Sequence, residues 1–313
     1  MPRKVIIDTD PGQDDAVALL LALASPQDLD VLGVIATAGN VSLRHTLNNA
    51  RRVVELSGRT DVPVFAGSAR PMRRALVTAE QVHGVTGLDG VDLPPPSLPE
   101  QAQGGVDFLI ERLRAAEDGE ITLVTLGALT DLGHAFTRAP DVVRKVREVV
   151  LMGGSWREGG NITPAAEFNI FVDPDAADIV FSSGVPLVML PLDATHGVRS
   201  TPERMAALRA LPNRCGPMAA RMLKASEAWD LAKFGWDGAP LHDPCTIAYL
   251  LKPELFSGRR VHVAIETQSE LTLGMTVVDW WRATPRAPNA LFLNQADADG
   301  FYALLTERLS RLP

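Results

Sequence analysis

Short apolar runs alternate with amphipathic stretches along the first two thirds of the chain. The run "KVIID" at residues 4–8 is β-branched and bounded by turn formers, which predicts a buried strand. The next segment, "DDAVALLLALAS", opens with acids and continues with helix formers, which predicts a helix. The alternation continues through "LDVLGVIAT", "VPVFAG", "ITLVTLG", "EVVLMGG" and "VPLVMLPLD". Strands that are apolar along their whole length and joined by helices indicate a parallel sheet covered on both faces.

The pattern changes after Ser200. The pattern over residues 200–253 predicts mainly helices. The segments "RRVHVAIET", "TLGMTVVDWW" and "ALFLNQAD" then predict strands before a last helix. Residues 70–104 are rich in proline and glycine, which predicts a long loop of the kind that is often functional. We therefore predict one α/β domain over residues 1–313. It has a Rossmann-like open, mostly parallel sheet with helices on both faces, a helical insertion and small extra strands towards the C-terminus.

The composition narrows the class of partner. The 313 residues are 46% hydrophobic, which is enough for a sizeable core. The net charge is −8 and there is no Lys/Arg-rich block, so we expect no nucleic-acid partner. That argument does not extend to a nucleoside, which carries no phosphate. Cys215 and Cys245 are the only cysteines, and we expect two reduced, buried thiols.

We expect no targeting signal from the sequence. The first residues, "MPRKVIIDTD", reach acids too early for a signal peptide. No apolar run reaches the roughly 18 residues that a membrane span requires. We therefore expect a cytoplasmic protein with no membrane partner.

The densest candidate chemistry is the segment "DTDPGQDDA", which places Asp8, Asp10, Asp14 and Asp15 directly after the first strand. The Pro-Gly turn within it can fold Asp10 back towards Asp15. Carboxylates this close repel one another unless a cation or hydrogen-bond donors lie among them. Hard oxygen ligands without nearby histidine or cysteine favour Ca²⁺ or Mg²⁺ over zinc. The alternative is that Asp14 and Asp15 only cap the following helix.

Polar groups also follow the other predicted strands, at the edge where parallel sheets bind ligands. These groups are Asn40, the main-chain carbonyls around Leu126, the trio Asn161, Glu167 and Asn169, and the pair His242 and Asp243. Taken singly, each amide could stabilise a turn, and the His-Asp pair could be a helix cap beside a surface histidine. Their clustering at several strand ends favours a binding site.

A series of motifs then resembles the nucleoside hydrolase family of the inosine–uridine-preferring type. They are "DTDPGQDDA", Gly39-Asn40, "HGVTG", "VVLMGG", "EFNIFVDPDAA", "HDP" and "LTLGMTVVD", in family order and nearly end to end. The resemblance implies Ca²⁺-dependent hydrolysis of the N-glycosidic bond of ribonucleosides to ribose and free base, as in purine and pyrimidine salvage. It also implies a homodimer or homotetramer.

The resemblance assigns roles to individual residues. The implied Ca²⁺ ligands are three carboxylates and one main-chain carbonyl: Asp10, Asp15, Asp243 and Leu126. The implied ribose contacts are acids and amides: Asp14, Asn169 and Asn40 for the 2′- and 3′-hydroxyls, and Asn161 and Glu167 for the 5′-hydroxyl. Asp8 is expected to orient the motif. Asp131, where the family often has asparagine, is interpreted as local to its helix.

Two residues are expected to act on the reaction itself. Departure of the base leaves an oxocarbenium-like transition state, which carboxylates stabilise. Asp10 is the expected general base towards a Ca²⁺-bound water, and His242 is the expected general acid towards the leaving base. Histidine titrates near neutral pH, which suits that task. His83 is expected either to contact the base or to fix its loop.

The base pocket is less defined. Met152 and Phe168 match family positions on its apolar side. Trp229, Phe234 and Trp236 are aromatic candidates, of which Trp236 is expected to stack on the base, although core packing is an equal alternative. The segment lacks the tyrosines common in the family, so the preference for purine or pyrimidine stays open.

Two other functions compete with this interpretation. A haloacid dehalogenase-like phosphatase also begins with a strand and D-x-D, which would make Asp8 the nucleophile and Asp10 the acid. It leaves "EFN" and "HDP" without a role. A non-catalytic, calcium-dependent binder of nucleosides or sugars would use the same scaffold but needs neither Asp10 nor His242 as a proton carrier.

Overall fold

The computed structural model describes residues 1–313 except for the side chain of Asp230. The strands are β1 (Arg3–Thr9), β2 (Leu29–Ala36), β3 (Val64–Ala66), β4 (Ile121–Thr125), β5 (Val146–Met152), β6 (Leu187–Leu190), β7 (Phe256–Ile265), β8 (Thr276–Asp279) and β9 (Ala290–Ala296). The helices are α1 (Gln13–Leu23), α2 (Leu43–Leu56), α3 (Glu80–His83), α4 (Gly105–Arg114), α5 (Thr130–Arg138), α6 (Phe168–Val172), α7 (Pro174–Ser182), α8 (Leu192–Thr195), α9 (Pro202–Arg209), α10 (Cys215–Phe234), α11 (Pro244–Leu251) and α12 (Ala298–Leu309). Short 3-10 helices cover Pro140–Lys145 and Pro253–Leu255.

The strands form one sheet in the order β3-β2-β1-β4-β5-β6-β9-β7-β8. Neighbours from β3 to β9 are parallel, whereas β7 pairs antiparallel with β9 and β8 pairs antiparallel with β7. The predicted α/β fold with a mostly parallel sheet is confirmed. The late strands extend the main sheet itself, because β9 pairs directly with the apolar strand β6.

Helix α1 lies at the centre of one apolar layer. Every residue from Ala16 to Leu23 is buried, and the helix packs against α2, α10, α11 and α12. Each buried leucine contributes about 1.5–3 kcal/mol. A helix that is apolar on all sides is buried among its neighbours, so packing fixes the position of the acids in its first turn.

The sheet contains a topological switch point between β1 and β4. From β1 the chain proceeds to β2 and β3 on one side, whereas β4, β5 and β6 follow on the other. Asp8 pairs in register with Thr125, and the Leu126 backbone N–H donates to the Asp8 carbonyl at 2.8 Å. The residues after β1 and after β4 therefore emerge side by side, in the crevice where open α/β sheets bind ligands.

The loop predicted at residues 70–104 carries the short helix α3 and little other regular structure. The helical stretch predicted at residues 200–253 contains α9, α10 and α11. Within the part of the chain that the structure describes, no helix is both long and apolar enough to cross a membrane.

Candidate active site

The turn between β1 and α1 is fixed by Asp15. Its Oδ1 accepts hydrogen bonds from the Thr9 hydroxyl at 2.6 Å and the Asp10 backbone N–H at 3.2 Å. Its Oδ2 accepts from the Gly12 backbone N–H at 3.0 Å and from Asn40 Nδ2 at 3.0 Å. The capping role left open for Asp15 is therefore real, and the same contacts aim the carboxylate at the strand ends.

Asp10 lies in a tight slot at the switch point. Its Oδ2 accepts from the Asn40 backbone N–H at 2.6 Å, and Asn40 Nδ2 donates to its carbonyl at 3.1 Å. A Cβ on Gly39 would clash with Oδ2, and one on Gly127 would clash with Oδ1, so both glycines are needed for the close approach. Among the described residues, the buried Oδ1 has no hydrogen-bond partner.

Three carboxylates converge beside this slot. Asp14, Asp15 and Asp243 each place one oxygen within 4.8 Å of the others. Burial raises the pKa of each of them, and neighbouring acids add to the increase for Asp15 and Asp243. Burial and the Asp15 charge likewise raise the pKa of Asp10 well above its usual value. Buried acids this close are stable as carboxylates only with a cation among them, and an all-oxygen donor set fits Ca²⁺ or Mg²⁺.

The structure therefore brings together most of the predicted metal ligands. Asp15 and Asp243 belong to the cluster, and Asp10 lies next to it with a free oxygen. The cluster also includes Asp14, which the sequence assigned to ribose. The Leu126 carbonyl already accepts from Asn169 Nδ2 at 2.6 Å, which leaves its second lone pair for a ligand.

The loop after β5 supplies the amide and the glutamate. Asn169 Nδ2 also donates to the Met152 carbonyl at 3.2 Å, so its amide group is fixed with the oxygen free to bind a ligand. Glu167 caps α6 by accepting from the Asn169 backbone N–H at 2.9 Å and also accepts from the Gly154 N–H at 2.9 Å. Burial raises the pKa of Glu167 to about 7. Asn161 Oδ1 accepts from the backbone N–H of Phe168 at 2.8 Å, so Asn161 also stabilises this loop.

Two histidines border the same cavity. His242 Nδ1 lies 2.7 Å from the Thr195 hydroxyl, and His83 Nδ1 lies 2.6 Å from Gln13 Oε1. Burial lowers the pKa of His83 to about 4. Burial, followed by the nearby histidines His196 and His83, lowers the pKa of His242 to about 3. A histidine poised near neutral pH was expected at position 242, and the dry environment instead favours the neutral imidazole.

The cavity holds about 870 Å³ of non-protein space, a figure that includes its open mouth. Its lining divides by chemistry into two halves. The polar half contains the predicted ribose and metal residues Asp14, Asn40, Leu126, Asn161, Glu167, Asn169 and Asp243. The other half contains the two histidines with apolar and small polar groups, among them Met152, Phe168, Val82, Gln81, Ser226 and Trp229.

The three aromatic candidates, Trp229, Phe234 and Trp236, differ in whether they line the cavity. Trp229 lines the cavity. The Trp236 ring stacks on Phe234 at 4.3 Å and packs against His196 at 5.0 Å. Among the described residues that line the cavity, neither Trp236 nor Phe234 appears. The structure therefore places the ring expected to stack on the base within an aromatic cluster behind His242, whose ring lies 5.9 Å from that of His196.

Asp131 is not local to its helix, contrary to the sequence interpretation. It is fully buried in the first turn of α5, and its Oδ1 accepts from the Ser68 hydroxyl at 2.6 Å. Its carboxyl also meets that of Asp8, and burial together with Asp131 raises the pKa of Asp8 well above its usual value. Asp8 and Asp131 are thus neighbouring buried acids, and among the described residues neither Asp8 oxygen has a hydrogen-bond partner. The sequence alone did not connect the two residues.

Several neighbours of the site were missed from sequence. Gln13 contacts His83, Thr195 contacts His242, and Ser226 lines the cavity. Gln13 stood inside the aspartate motif, and its position in the first turn of α1 was the available signal. Thr195 and Ser226 carried no signal, because single hydroxyls in helices are common and usually bond to their own backbone.

Comparisons with known proteins agree with this geometry. A family model described as inosine-uridine preferring nucleoside hydrolase matches residues 5–303. The chain is 52% identical over 310 residues to an uncharacterized protein of Schizosaccharomyces pombe, covering 99% of this chain and 100% of that one. It is 48% identical over 311 residues to the pyrimidine-specific ribonucleoside hydrolase RihA of Shewanella sp. strain MR-4, covering 99% and 97% of the two chains.

Among solved structures, the purine-preferring ribonucleoside hydrolase from Gardnerella vaginalis superimposes with a TM-score of 0.91. That pair is 28% identical, and the match covers 98% of both chains. The fold and the sequence thus match known proteins from one end of the chain to the other. The chain belongs to the inosine-uridine preferring nucleoside hydrolase family.

Proposed function

We propose that this protein hydrolyses the N-glycosidic bond of pyrimidine ribonucleosides, releasing ribose and the free base, with one bound Ca²⁺. The observation that carries the proposal is the cavity at the switch point. It combines a cluster of buried and half-buried acids with the ribose-type donors Asn169 and Glu167, and two histidines line the same cavity.

The reaction class follows from the family. Its model is that of a nucleoside hydrolase and the named relatives are ribonucleoside hydrolases, so the chain is an enzyme that hydrolyses ribonucleosides. The choice of pyrimidine rests on the relative named pyrimidine-specific, which is 48% identical, whereas the structure named purine-preferring is 28% identical. The sequence motifs alone did not separate the two base classes.

The metal is proposed as Ca²⁺ because the available donors are all hard oxygens. Asp10, Asp15 and Asp243 would hold it with the Leu126 carbonyl, and Asp14 lies close enough to join them. When bound, the ion would favour the ionised carboxylates, orient the neighbouring ribose hydroxyls and make a coordinated water more acidic.

The polar half of the cavity would grip the ribose. Asn40, Asp14 and the free oxygen of Asn169 suit the 2′- and 3′-hydroxyls. Glu167 suits the 5′-hydroxyl, since its carboxyl is held by backbone donors. The unpaired Oδ1 of Asp10 is the strongest candidate for the general base, because its other oxygen is fixed by the Asn40 backbone. The surrounding negative charge would stabilise the oxocarbenium-like transition state.

The second half of the cavity would hold the base. His242 is the candidate acid. The neutral ring that burial favours would donate an Nε2–H hydrogen bond to the leaving base, and transfer of a proton would require the ring to be protonated first. His83 lines the same cavity. Trp229 and Phe168 supply apolar surface for the base plane. Water would be excluded by these side chains as the glycosidic bond breaks.

The remaining predictions are physiological. We propose that the chain works as one domain in the cytoplasm, as a homodimer or homotetramer, with no nucleic-acid or membrane partner. A role in pyrimidine salvage or nucleoside catabolism would follow from the substrate.

Release of ribose from a panel of uridine, cytidine, inosine, adenosine and guanosine tests the proposal. Uridine and cytidine should be cleaved fastest, and their 2′-deoxy forms should react far more slowly because the sugar grip is lost. Binding of ribonucleosides to calcium-loaded protein with no ribose released would instead favour the non-catalytic binder. Release of phosphate from a monoester, with no action on nucleosides, would favour the phosphatase.

A further inference from the structure

Gln13 makes two hydrogen bonds to one histidine of the cavity. Its Oε1 lies 2.6 Å from His83 Nδ1, and its Nε2 donates to the His83 carbonyl at 3.2 Å. Gln13 is the first residue of the buried helix α1 and is itself only 1% exposed. A Cβ on Gly12 would clash with the His83 ring, which shows how closely the ring packs on the turn.

These two bonds determine which ring nitrogen carries the proton. The His83 carbonyl can only accept, so the NH₂ group of Gln13 must face it. The amide oxygen must then face Nδ1, and an amide oxygen can only accept. Nδ1 is therefore the donor, and in the neutral ring Nε2 is left as an acceptor.

The free nitrogen is available to a ligand. His83 lines the cavity, and among the described residues its Nε2 has no hydrogen-bond partner. That atom is also not among the fully buried polar atoms without a partner, so it has exposed surface on a residue that lines the cavity. A base would thus meet a fixed acceptor at this position.

We propose that Gln13 is a specificity-determining positioning residue, which holds His83 as a hydrogen-bond acceptor for an N–H group of the pyrimidine base. The proposal rests on the proposed function. Two pyrimidine N–H groups could donate this hydrogen bond: the N3–H of uridine and the exocyclic N4–H of cytidine. A base without an N–H at the contacted position would face a lone pair and be disfavoured.

The test compares wild type with Gln13→Met, which keeps the length and apolar bulk of the side chain but removes both bonds. The kcat/KM ratios of uridine to 3-methyluridine and of cytidine to N4,N4-dimethylcytidine are measured in each protein. For the substrate pair whose N–H group bonds to His83, the ratio should fall by about threefold to tenfold in Gln13→Met, which corresponds to the loss of one hydrogen bond. A change in metal affinity cancels, because each ratio lies within one protein.

Asn49→Leu is the matched control. Asn49 Nδ2 joins the same two segments, donating to the carbonyls of Pro11 at 3.0 Å and Thr86 at 2.7 Å, without touching the His83 ring. In Asn49→Leu both kcat/KM ratios should stay at wild-type values. In a second control, adding Gln13→Met to His83→Ala should not change the ratios measured for His83→Ala alone. Two results would overturn the proposal: an equal change of a ratio in Asn49→Leu and in Gln13→Met, or no change of either ratio in Gln13→Met.

A direct readout does not require activity. In wild-type protein labelled with ¹⁵N-histidine, the His83 signals should show a protonated Nδ1 and a bare Nε2, and Gln13→Met should shift them towards the other tautomer. A protonated Nε2 in the neutral wild-type ring would refute the assignment. Failure of the wild type to cleave any nucleoside would overturn the proposed function and leave this ring assignment standing.

Discussion

The two halves of the cavity are built differently. Beside the polar half, Asp10 follows β1 directly and Asp15 lies in the first turn of α1, and both carboxylates are held by backbone N–H groups and by Asn40. In the base half, His83 lies on the short helix α3, Trp229 lies on α10, and His242 precedes α11. The first half is a property of strand ends in a parallel sheet, whereas the second depends on how helices and loops meet. Chemistry common to the reaction can therefore reside in the first half, and selection of the base in the second.

The largest expected effect comes from the polar half. Asp10→Ala should lower kcat/KM by about 1,000-fold or more on every nucleoside, because the base and a metal-facing carboxylate are lost together. Ribose release across the substrate panel measures this loss. An equal loss confined to one class of base would contradict the division between the halves. Asp299→Ala, at a side chain that is 94% exposed, is the control.

His242→Ala tests the base half. It should lower kcat/KM on uridine by about 100-fold, in the range of general-acid effects, and should do much less to p-nitrophenyl riboside, whose leaving group needs no proton. Thr195→Val removes the hydroxyl that holds the His242 ring and should produce a weaker form of the same pattern. Equal losses on both substrates would remove His242 from the role of acid.

The buried acids should make the metal-free protein less stable as pH rises above about 4, the usual carboxyl pKa, and on through their own raised pKa values. The folded-state pKa values of Asp8, Asp10 and Asp243 lie well above their unfolded values, so their contribution is complete at low pH and is lost as pH increases. The two buried histidines, with pKa values lowered to about 4 and about 3, act in the opposite direction only below about 6.5.

Melting temperatures measured from about pH 6.5 to 8.5 in a chelator, and again with Ca²⁺, check this prediction. The decline should be steep in the chelator and shallow with Ca²⁺, because the ion favours the ionised carboxylates. A melting temperature that is flat or rising in the chelator would mean that these acids do not interact as the geometry implies.

A comparison of Trp229→Leu with Trp236→Leu tests which of the two tryptophans contacts the base. Trp229 lines the cavity, so its loss should raise KM for pyrimidine nucleosides by about tenfold, the value of one base-stacking contact. Trp236 packs on Phe234 and His196, so its loss should act mainly on stability. A larger KM effect from Trp236→Leu would reverse this assignment.

The smallest expected effect concerns the link between the sheet edge and Glu167. The Thr276 hydroxyl accepts from the Ser155 N–H at 2.9 Å and donates to the Ser155 carbonyl at 2.6 Å, next to the Gly154 N–H that holds Glu167. Thr276→Val should lower kcat/KM on uridine by about threefold and have no effect on 5′-deoxyuridine, which lacks the hydroxyl that Glu167 would bind. Thr276→Ser should restore the wild-type value. A loss of equal size on both substrates would make Thr276 merely structural.

The sequence indicated where the polar residues would gather, because most of them directly follow predicted strands. Apolar runs located the strands, and in a parallel sheet all carboxyl ends of the strands meet at one edge. Asp243, far along the chain from Asp15, was nevertheless placed with it by the family motif, and the structure brings the two within 4.8 Å.

The base half was predicted less completely for a physical reason. Trp236 was expected on the base, but the direction of α10 and the turn after it, with Gly235 in a left-handed conformation, carry its ring onto Phe234. Asp131 looked local, yet it reaches Ser68 across the fold. Such contacts depend on how separate elements pack, which periodicity along one element does not encode.

Calorimetric titration of Ca²⁺ into chelator-treated protein tests the central claim most directly. We expect one ion per chain in wild type and in Asp299→Asn, and an affinity at least about tenfold weaker in Asp243→Asn. Absence of binding to the wild type, or equal affinity in all three proteins, would contradict a cation held among the acids at the ends of β1 and β4.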